Sequence, residues 1–389
     1  MSDSIVITAA RRTAIGAFQG QFASVTSPEL GTAAIRAAVR DCGIDGKDVS
    51  EVLMGCVLPA GTGQAPARQA SIGADLPLSV GATTLNKVCG SGMKAVMLGH
   101  DAIRAGSAEV VVAGGMESMT NAPFLVKRGL RMGHDKLLDH MFLDGLQNPY
   151  DGQMMGGFGE KCAEKYSFSR EQQDDFSRAS VERANRATEN GLFADEITPV
   201  TVKSRKGEIE VATDEEPGRI NVDKIPDLRP AFARDGTITA ASSSKISDGA
   251  AALVLMSADN AAQRGVQPLA RIVAHATHSQ EPEWFTTAPV GALEKVLERA
   301  GWKPDEVDLY EINEAFATVT MAAMHEHGLS HDKVNIHGGA CALGHPIGCS
   351  GARILVTLIH ALKSVGGTRG VASLCIGGGE ATAVAIELV

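Results

Sequence analysis

The opening of the chain alternates short apolar runs with a segment whose apolar residues recur at helical spacing. The short runs Ile5–Thr8, Ser50–Val57 and Ala108–Ala113 are typical of buried strands, and the last of them stops at Gly114-Gly115. Before that last run, Met93–Ala105 carries apolar residues at the spacing of a helix. This alternation predicts an α/β fold with a mostly parallel sheet covered by helices.

Residues 119–247 depart from that pattern. The segment has more charged residues, Met and Pro, and fewer β-branched runs. One helix is well marked within it, because Ser169 and Gln172 form a capping-box pattern at its start and Asn190-Gly191 marks its end. We therefore expect a long insertion carried on the sheet, which resumes at Gly249–Met256.

The last third repeats the opening scheme. Asp308–Ile312, Val334–Ile336 and Gly370–Cys375 are predicted strands, and Gly351–Leu362 is a predicted helix. Residues 89–103 can be laid on 348–362, with "AGGME" and "IGGGE" downstream of them. Short glycine-containing segments also match by chance, so the repeat favours two similar halves without establishing them.

Composition narrows the possible functions. A chain of 389 residues suggests two or three domains. The net charge of −10 argues against a nucleic-acid binder, and no apolar run approaches the ~20 residues of a membrane helix. The seven cysteines include no C-x-x-C pair, which disfavours a zinc cluster or disulfide framework. With no signal-peptide pattern at the start, we expect a reducing, cytoplasmic location.

Cys89 lies in "KVCGSGMK", just before the predicted helix. Gly90 and Gly92 allow a sharp turn there, and the helix dipole favours a thiolate, so a lowered thiol pKa is expected. A buried structural cysteine is the alternative. A phosphate-binding loop is disfavoured because the lysine and threonine of such loops are missing.

Three further positions carry candidate chemistry at strand ends or on glycine-rich loops. His345, before Pro346, suits a general base, although an ordinary loop histidine is the alternative. Cys375 ends an apolar strand before three glycines whose N–H groups could bind an oxyanion, or it simply packs in the sheet. Asn313 follows a strand and could hold a water or a substrate oxygen, cap a helix, or do both. In an α/β fold these positions converge, which favours catalysis.

Together, these segments resemble the thiolase family, in its biosynthetic acetyl-CoA acetyltransferase type. The resemblance covers essentially the whole chain and includes "NKVCGSGMKA", "INEAFA", "GGACALGHPIGCSGARI" and "LCIGGGEA". It implies two βαβαβαββ halves in a five-layered α-β-α-β-α core. It also implies the division 1–118 (N-terminal half), 119–247 (loop domain over coenzyme A), 248–268 (return to the first half) and 269–389 (C-terminal half).

The resemblance implies a ping-pong mechanism in fatty acid metabolism. Cys89 would be the nucleophile, His345 its base, and Cys375 the acid and base at the second substrate. Asn313, holding a water, and Gly377, through its N–H, would complete two oxyanion sites. The substrates would be acyl-CoA and CoA, with no metal or redox cofactor, in a homotetramer or homodimer.

Contacts to CoA carry over from the family with less certain alignment. The matching positions are Ser244, Leu146, Met155, Phe232, Phe316 and, shifted by a residue or two, Arg219. Two departures bear on chain length: Met154 replaces a common histidine, and Lys245 replaces a common glycine. Lys245 would either contact phosphate or be solvated.

Other functions stay open at this point. A degradative 3-ketoacyl-CoA thiolase for longer chains shares all the catalytic motifs. A decarboxylating ketoacyl synthase pairs its cysteine with two histidines or with His and Asn, which the glycine-framed Cys375 disfavours. A lipid- or CoA-binding protein would not require Cys89, His345 and Cys375 together.

Overall fold

The computed structural model describes residues 4–129, 131–204 and 207–389. Its strands are β1 (Ile5–Thr13), β2 (Gly16–Ala17), β3 (Glu51–Gly55), β4 (Gly81–Leu85), β5 (Val110–Ser118), β6 (Phe124–Leu125), β7 (Leu138–Asp139), β8 (Ile197–Thr198), β9 (Val200–Ser204), β10 (Gly207–Val211), β11 (Ser247–Ser257), β12 (Ala270–Ser279), β13 (Leu309–Ile312), β14 (Arg369–Ile376) and β15 (Glu380–Leu388).

Its helices are α1 (Ser27–Cys42), α2 (Pro66–Gly73), α3 (Ser91–Arg104), α4 (Met155–Tyr166), α5 (Arg170–Glu189), α6 (Ala258–Arg264), α7 (Ala288–Ala300), α8 (Ala317–His327), α9 (Ala340–Leu343) and α10 (Ser350–Val365). None of the helices in the described ranges is long and apolar enough to cross a membrane.

The main sheet runs in the order β13-β14-β15-β12-β1-β11-β5-β3-β4. Its two parts meet at β1 and β12, which pair over only three residues of each strand. The prediction of a mostly parallel sheet is wrong. β3 pairs in parallel with β4 and β5, and β13 with β14, but along the main order β1, β11, β12 and β15 pair antiparallel with their neighbours. The insertion returns the chain as β11 directly beside β5, and a tight turn joins β14 to β15, so neither connection is a crossover.

Apolar side chains divide this architecture into layers. Helices α1 and α2 cover one face of the first part of the sheet, and α7 and α8 cover the outer face of the second. Between the two parts lie α3 and α10, whose residues share one apolar cluster with strands of both. The order is therefore helix, sheet, paired central helices, sheet, helix.

Two glycines, Gly92 and Gly351, let the first turns of the two central helices lie in contact. A Cβ on Gly92 would lie 2.8 Å from the backbone nitrogen of Ala352, and one on Gly351 would lie 2.5 Å from that of Met93. Strand β5 also continues to Ser118 instead of stopping at Gly114-Gly115. These two glycines let the backbones of β11 and of Gly348 approach, which any side chain would obstruct.

Two other local predictions have opposite outcomes. Helix α5 begins after Ser169, whose hydroxyl accepts from the N–H of Gln172, and ends before Asn190, as predicted. The predicted strand Val334–Ile336 does not form and leaves only an isolated bridge to Tyr310. Asn335 explains this, because its φ is +49° and its side chain hydrogen-bonds the backbone of Ile312 in place of a ladder.

Candidate active site

Cys89 precedes α3 and is half-buried. The strained turn before it places Val88 at φ +45°, and the hydroxyl of Ser91 closes the turn by donating to the carbonyl of Val88. Burial raises the pKa of the thiol to about 11, although the N–H groups of Cys89 and Gly377 directed at the sulfur oppose that rise. The expected lowering by the helix dipole is therefore wrong for the free protein: desolvation outweighs it.

His345 is buried on the loop before α10. Its Nδ1 lies 2.6 Å from the hydroxyl of Ser350, which itself donates to the carbonyl of Pro346. We therefore assign the proton to Nδ1, which leaves Nε2 as a lone-pair acceptor without a partner among the described residues. Burial lowers the pKa of His345 to about 3, so the ring is neutral, the form a general base requires.

Asn313 lies directly after β13, where its N–H donates to the carbonyl of Ser373. Its amide nitrogen is 3.4 Å from Nδ1 of His345, and its buried Oδ1 has no partner among the described residues. The helix-cap alternative is wrong, because α8 starts only at Ala317 with Phe316 at the cap position. The free amide oxygen suits a bound water.

Cys375 is fully buried at the end of β14. Burial first, and then the neighbouring Cys89 sulfur, raise the pKa of its thiol well above the usual value. The turn to β15 places Gly378 at φ +94° and Gly379 at φ +87°, conformations that favour glycine. This turn presents the N–H of Gly377 to Cys89, so both thiols and a backbone donor converge.

A buried acid that the sequence did not single out holds this arrangement together. Glu117, at the end of β5, accepts from the backbone N–H groups of Val57, Leu58 and Gly348 at 2.8–3.1 Å. Gly348 belongs to the loop that carries His345. Burial raises the pKa of Glu117 to about 7 against these three donors. Its signal in the sequence was the acid of "AGGME", which the repeat matches to Glu380, a partly exposed residue that pairs with Lys87.

A second buried acid supports the same loop from the other side. Glu314 accepts hydrogen bonds from Ser180, Asn335 and the N–H of Cys341. Burial raises its pKa. Ser180 lies on α5, so Glu314 also ties the insertion to the strand end that carries Asn313. In the sequence, Glu314 directly follows Asn313 in "INEAFA", and no local signal marks it as a buried acid.

Five predicted CoA contacts lie around these groups. Phe316 and Met155 pack in the apolar cluster that contains Cys375, and Phe232 meets Phe316 edge-to-face with ring centroids 5.8 Å apart. Leu146 packs in a second cluster that Cys89 contacts. Ser244 is half-buried and donates its N–H to the carbonyl of Ala315.

The remaining predicted positions behave differently. Arg219 is exposed and pairs with Glu215, and no contact among the described residues connects it to the cysteines. The alternative that Lys245 is simply solvated is wrong, because its ammonium donates to the carbonyls of Ala240 and Ser243, and burial lowers its pKa. Its contact with phosphate stays a prediction. Met154 precedes α4, where the family commonly carries a histidine.

Comparisons with known proteins identify the family. Residues 5–259 match the thiolase N-terminal domain and 266–388 the thiolase C-terminal domain. The chain is 49% identical to the acetyl-CoA acetyltransferase of Pseudomonas aeruginosa, over 98% of each chain. It is 48% identical to acetyl-CoA acetyltransferase 2 of Arabidopsis thaliana, over 99% of this chain and 97% of the relative.

Solved structures agree. The acetyl-CoA acetyltransferase of Bacillus anthracis superposes with a TM-score of 0.97 at 40% identity, covering 100% of this chain and 99% of that one. The Acat5 thiolase of Ascaris suum, in complex with coenzyme A, superposes at 0.94 with 41% identity, covering 99% and 100%. The chain belongs to the thiolase family. The predicted family and α/β thiolase fold are confirmed.

Proposed function

We propose that the protein is an acyltransferase that joins two acetyl-CoA molecules into acetoacetyl-CoA and CoA, and catalyses the reverse thiolysis. The observation that carries the proposal is the convergence of Cys89, Cys375 and the Gly377 N–H, together with a neutral, buried His345 with a free Nε2. Ile347, on the same loop as His345, packs in the apolar cluster that Cys89 contacts. The relatives named acetyl-CoA acetyltransferase support the choice of acetyl groups.

The first half-reaction transfers the acetyl group to the protein. His345 Nε2 takes the proton of the Cys89 thiol, and the thiolate attacks the thioester carbonyl. The bond from that carbon to the CoA sulfur breaks, and Cys375 gives its proton to the departing CoA thiolate. The products are acetyl-Cys89, free CoA, a Cys375 thiolate and protonated His345.

The second half-reaction forms the carbon–carbon bond. The Cys375 thiolate removes a proton from the methyl group of a second acetyl-CoA, and the resulting carbanion attacks the acetyl-Cys89 carbonyl. The carbon–sulfur bond to Cys89 breaks, and the Cys89 thiolate recovers the proton from His345. Acetoacetyl-CoA leaves a protein with both thiols protonated, the state that the raised pKa values favour at neutral pH.

Two sets of donors would stabilise the oxyanions. A water on the free Oδ1 of Asn313, with protonated His345, serves one of them. The N–H groups of Cys89 and Gly377 serve the other, and their direction toward the Cys89 sulfur supports this role. Removing one such donor typically lowers the rate by ~10²–10³-fold. The thioester already acidifies its α-carbon, so the proposed steps use no metal or redox cofactor.

The wider expectations belong to this proposal. We assign Leu146, Met155, Phe232, Phe316 and Ser244 to the CoA and pantetheine path, with 119–247 as the loop domain between 1–118 and 248–268, and 269–389 as the second half. Arg219 has the weakest support among the CoA contacts. A cytoplasmic homotetramer or homodimer completes the proposal.

The test compares CoA-dependent cleavage of acetoacetyl-CoA with cleavage of a C8 or C10 3-ketoacyl-CoA, in wild type and Cys89→Ala. Strong C4 activity, little long-chain activity and loss of both in the variant are expected. Comparable long-chain activity would assign the protein to degradative thiolases. A fully active Cys89→Ala would refute the mechanism, and activity on malonyl but not acetyl thioesters would favour a ketoacyl synthase.

A further inference from the structure

A cluster of two histidines and an aspartate lies outside the site described above. His100 and Asp101 are neighbours on α3, and His275 projects from β12. Nδ1 of His100 lies 3.0 Å from Oδ1 of Asp101, and Nε2 of His275 lies 3.0 Å from that same oxygen. The two nitrogens are 3.2 Å apart. Three metal-binding atoms thus form a nearly equilateral triangle.

Hydrogen bonds alone cannot account for all three contacts in this triangle. Each of the three contacts needs a hydrogen between its atoms, but an ionised Asp101 supplies none and each ring supplies at most one. If both rings donate to the carboxylate, the two nitrogens face each other as donors at 3.2 Å. A single cation at the apex would instead be attracted to all three lone pairs.

We propose that His100, Asp101 and His275 bind a divalent transition-metal ion, for which zinc is the best fit. Zinc takes imidazole nitrogens and carboxylate oxygens at 2.0–2.2 Å in tetrahedral geometry, so its ligand atoms are about 3.3 Å apart. The observed edges of 3.0–3.2 Å match one face of that tetrahedron after a small expansion. Imidazole ligands favour zinc over magnesium or calcium.

The exposure of the three side chains and the charges near them indicate how a metal would be held. The side chains of His100 and His275 are 10% and 17% exposed, whereas that of Asp101 is 52% exposed. Two fixed ligands therefore lie inside and the third borders solvent, which leaves water as the fourth ligand. The charges around His275 act in opposite directions. Burial, His100 and Lys94 disfavour a positive charge on its ring and lower its pKa, whereas Asp101 raises that pKa.

The position indicates a structural role for the metal. Helix α3 belongs to the first half of the chain and β12 to the second, so one ion would link the halves across the central layer. His100 is nine residues beyond the start of α3, about 14 Å along the helix from the Cys89 end. Metal binding would therefore stabilise the fold without entering the reaction. The ligands lie 175 residues apart, so ligand spacing in the sequence could not reveal them.

Calorimetric titration of the chelator-treated protein with Zn²⁺ tests the proposal. Wild type should bind one ion per chain. Asp101→Asn and His275→Gln should bind at least tenfold more weakly, while His325→Ala, an exposed helix histidine elsewhere, should match wild type. The melting temperature should rise with Zn²⁺ in wild type and in His325→Ala, and should stay unchanged in the two ligand variants.

Cobalt(II) separates this site from the thiols. Co²⁺ bound by nitrogen and oxygen gives visible d–d bands, whereas binding to Cys89 adds an intense near-ultraviolet thiolate charge-transfer band. Visible bands that disappear in Asp101→Asn would support the proposal, and this half-exposed isosteric change should leave the fold intact. Absence of saturable binding, unchanged affinity in both ligand variants, or a thiolate band alone would overturn it.

Discussion

The two groups of residues assigned to the proposed site are held in different ways, and we call them the core side and the insertion side. The core side consists of Cys89, His345, Asn313, Cys375 and Gly377. Four of these lie at strand ends or just before a helix, and His345 lies on the loop before α10. The insertion side consists of Leu146, Met155 and Phe232, which are half-buried or exposed. The reacting groups thus lie on or beside buried strands and helix starts, whereas the groups assigned to the CoA path are side chains that are partly open to solvent.

Backbone contacts make the core side intolerant of added volume. A Cβ on Gly348 would lie 2.6 Å from Oε2 of Glu117 and 3.0 Å from the Cα of Cys56. In α4 of the insertion the neighbours are side chains instead: a Cβ on Gly156 would meet the ring of Phe232, and one on Gly157 would meet only Oε1 of Gln153 at 3.5 Å. We infer that the core side fixes the chemistry and the insertion side adjusts substrate preference, and substitutions on each side test this division.

The largest expected effect comes from His345→Asn. Asparagine can keep the hydrogen bond to Ser350 but removes Nε2, the proposed base. General base catalysis contributes about 10²–10⁴-fold, so kcat for acetoacetyl-CoA cleavage should fall by that factor with KM little changed. Steady-state kinetics measure both. A variant within threefold of wild type would remove His345 from the mechanism.

Wild type and His345→Asn also test whether the ring of His345 is buried and neutral, through the pH dependence of their stability. The folded pKa of His345, about 3, is below its ordinary value of 6.5, so the unfolded chain binds the extra proton first. Wild type should therefore lose stability relative to His345→Asn as pH falls from about 6.5 to about 3, and the difference should be constant above that range. Denaturant unfolding at several pH values measures it, and a constant difference throughout would contradict a buried neutral ring.

Gly348→Ala should be the next most damaging change. The added methyl displaces the loop of His345 from Glu117, and a shift of about 1 Å in a reacting group can lower the rate by ~10²-fold. Overpacking should also cost about 1–3 kcal/mol of unfolding free energy. Gly157→Ala is the matched control and should retain full activity. Equal effects of the two variants would refute the rigidity assigned to the core side.

The sequence predicted what depends on local signals. Cys89, His345 and Cys375 each lie in a glycine-framed segment, so neighbouring residues were enough to single them out. Glu117 contacts Gly348 across 231 residues, and the pairing of β11 with β5 spans the whole insertion, so both required the fold. The predicted strand Val334–Ile336 does not form, because the side chain of Asn335 hydrogen-bonds the backbone of Ile312 in place of a strand ladder. The apolar residues on either side of Asn335 give no sign of this.

Glu117→Gln tests the support beneath the core side and should have a moderate effect. The amide keeps the size of the carboxylate but loses one acceptor oxygen, so at least one of the N–H groups of Val57, Leu58 and Gly348 faces an N–H₂ donor. An unsatisfied buried N–H costs about 1–3 kcal/mol. The unfolding free energy should fall by that amount, and kcat should fall about tenfold through misplacement of His345.

A KM-against-kcat comparison separates this positioning role from a merely structural one. Glu117→Gln should lower kcat with KM nearly constant at 25 °C, where the variant remains folded. Glu314→Gln is the matched variant on the other side of the loop, where the acid accepts from Ser180, Asn335 and Cys341. If either variant loses stability with unchanged kcat, that acid supports the fold alone.

Phe232→Ala should have the smallest effect and the opposite kinetic signature. The ring is 40% exposed and rests edge-on against Phe316, so its removal leaves the cysteines and His345 in place. Losing part of the proposed apolar contact to the pantetheine corresponds to about 1 kcal/mol, or a roughly fivefold rise in KM for acetoacetyl-CoA. The kcat should stay within about twofold of wild type.

Ile209→Ala, exposed on the β9–β10 hairpin of the insertion, is the control and should change neither constant. A fall in kcat without a rise in KM would mean that the insertion side positions the reacting groups, and the division between the two sides would fail.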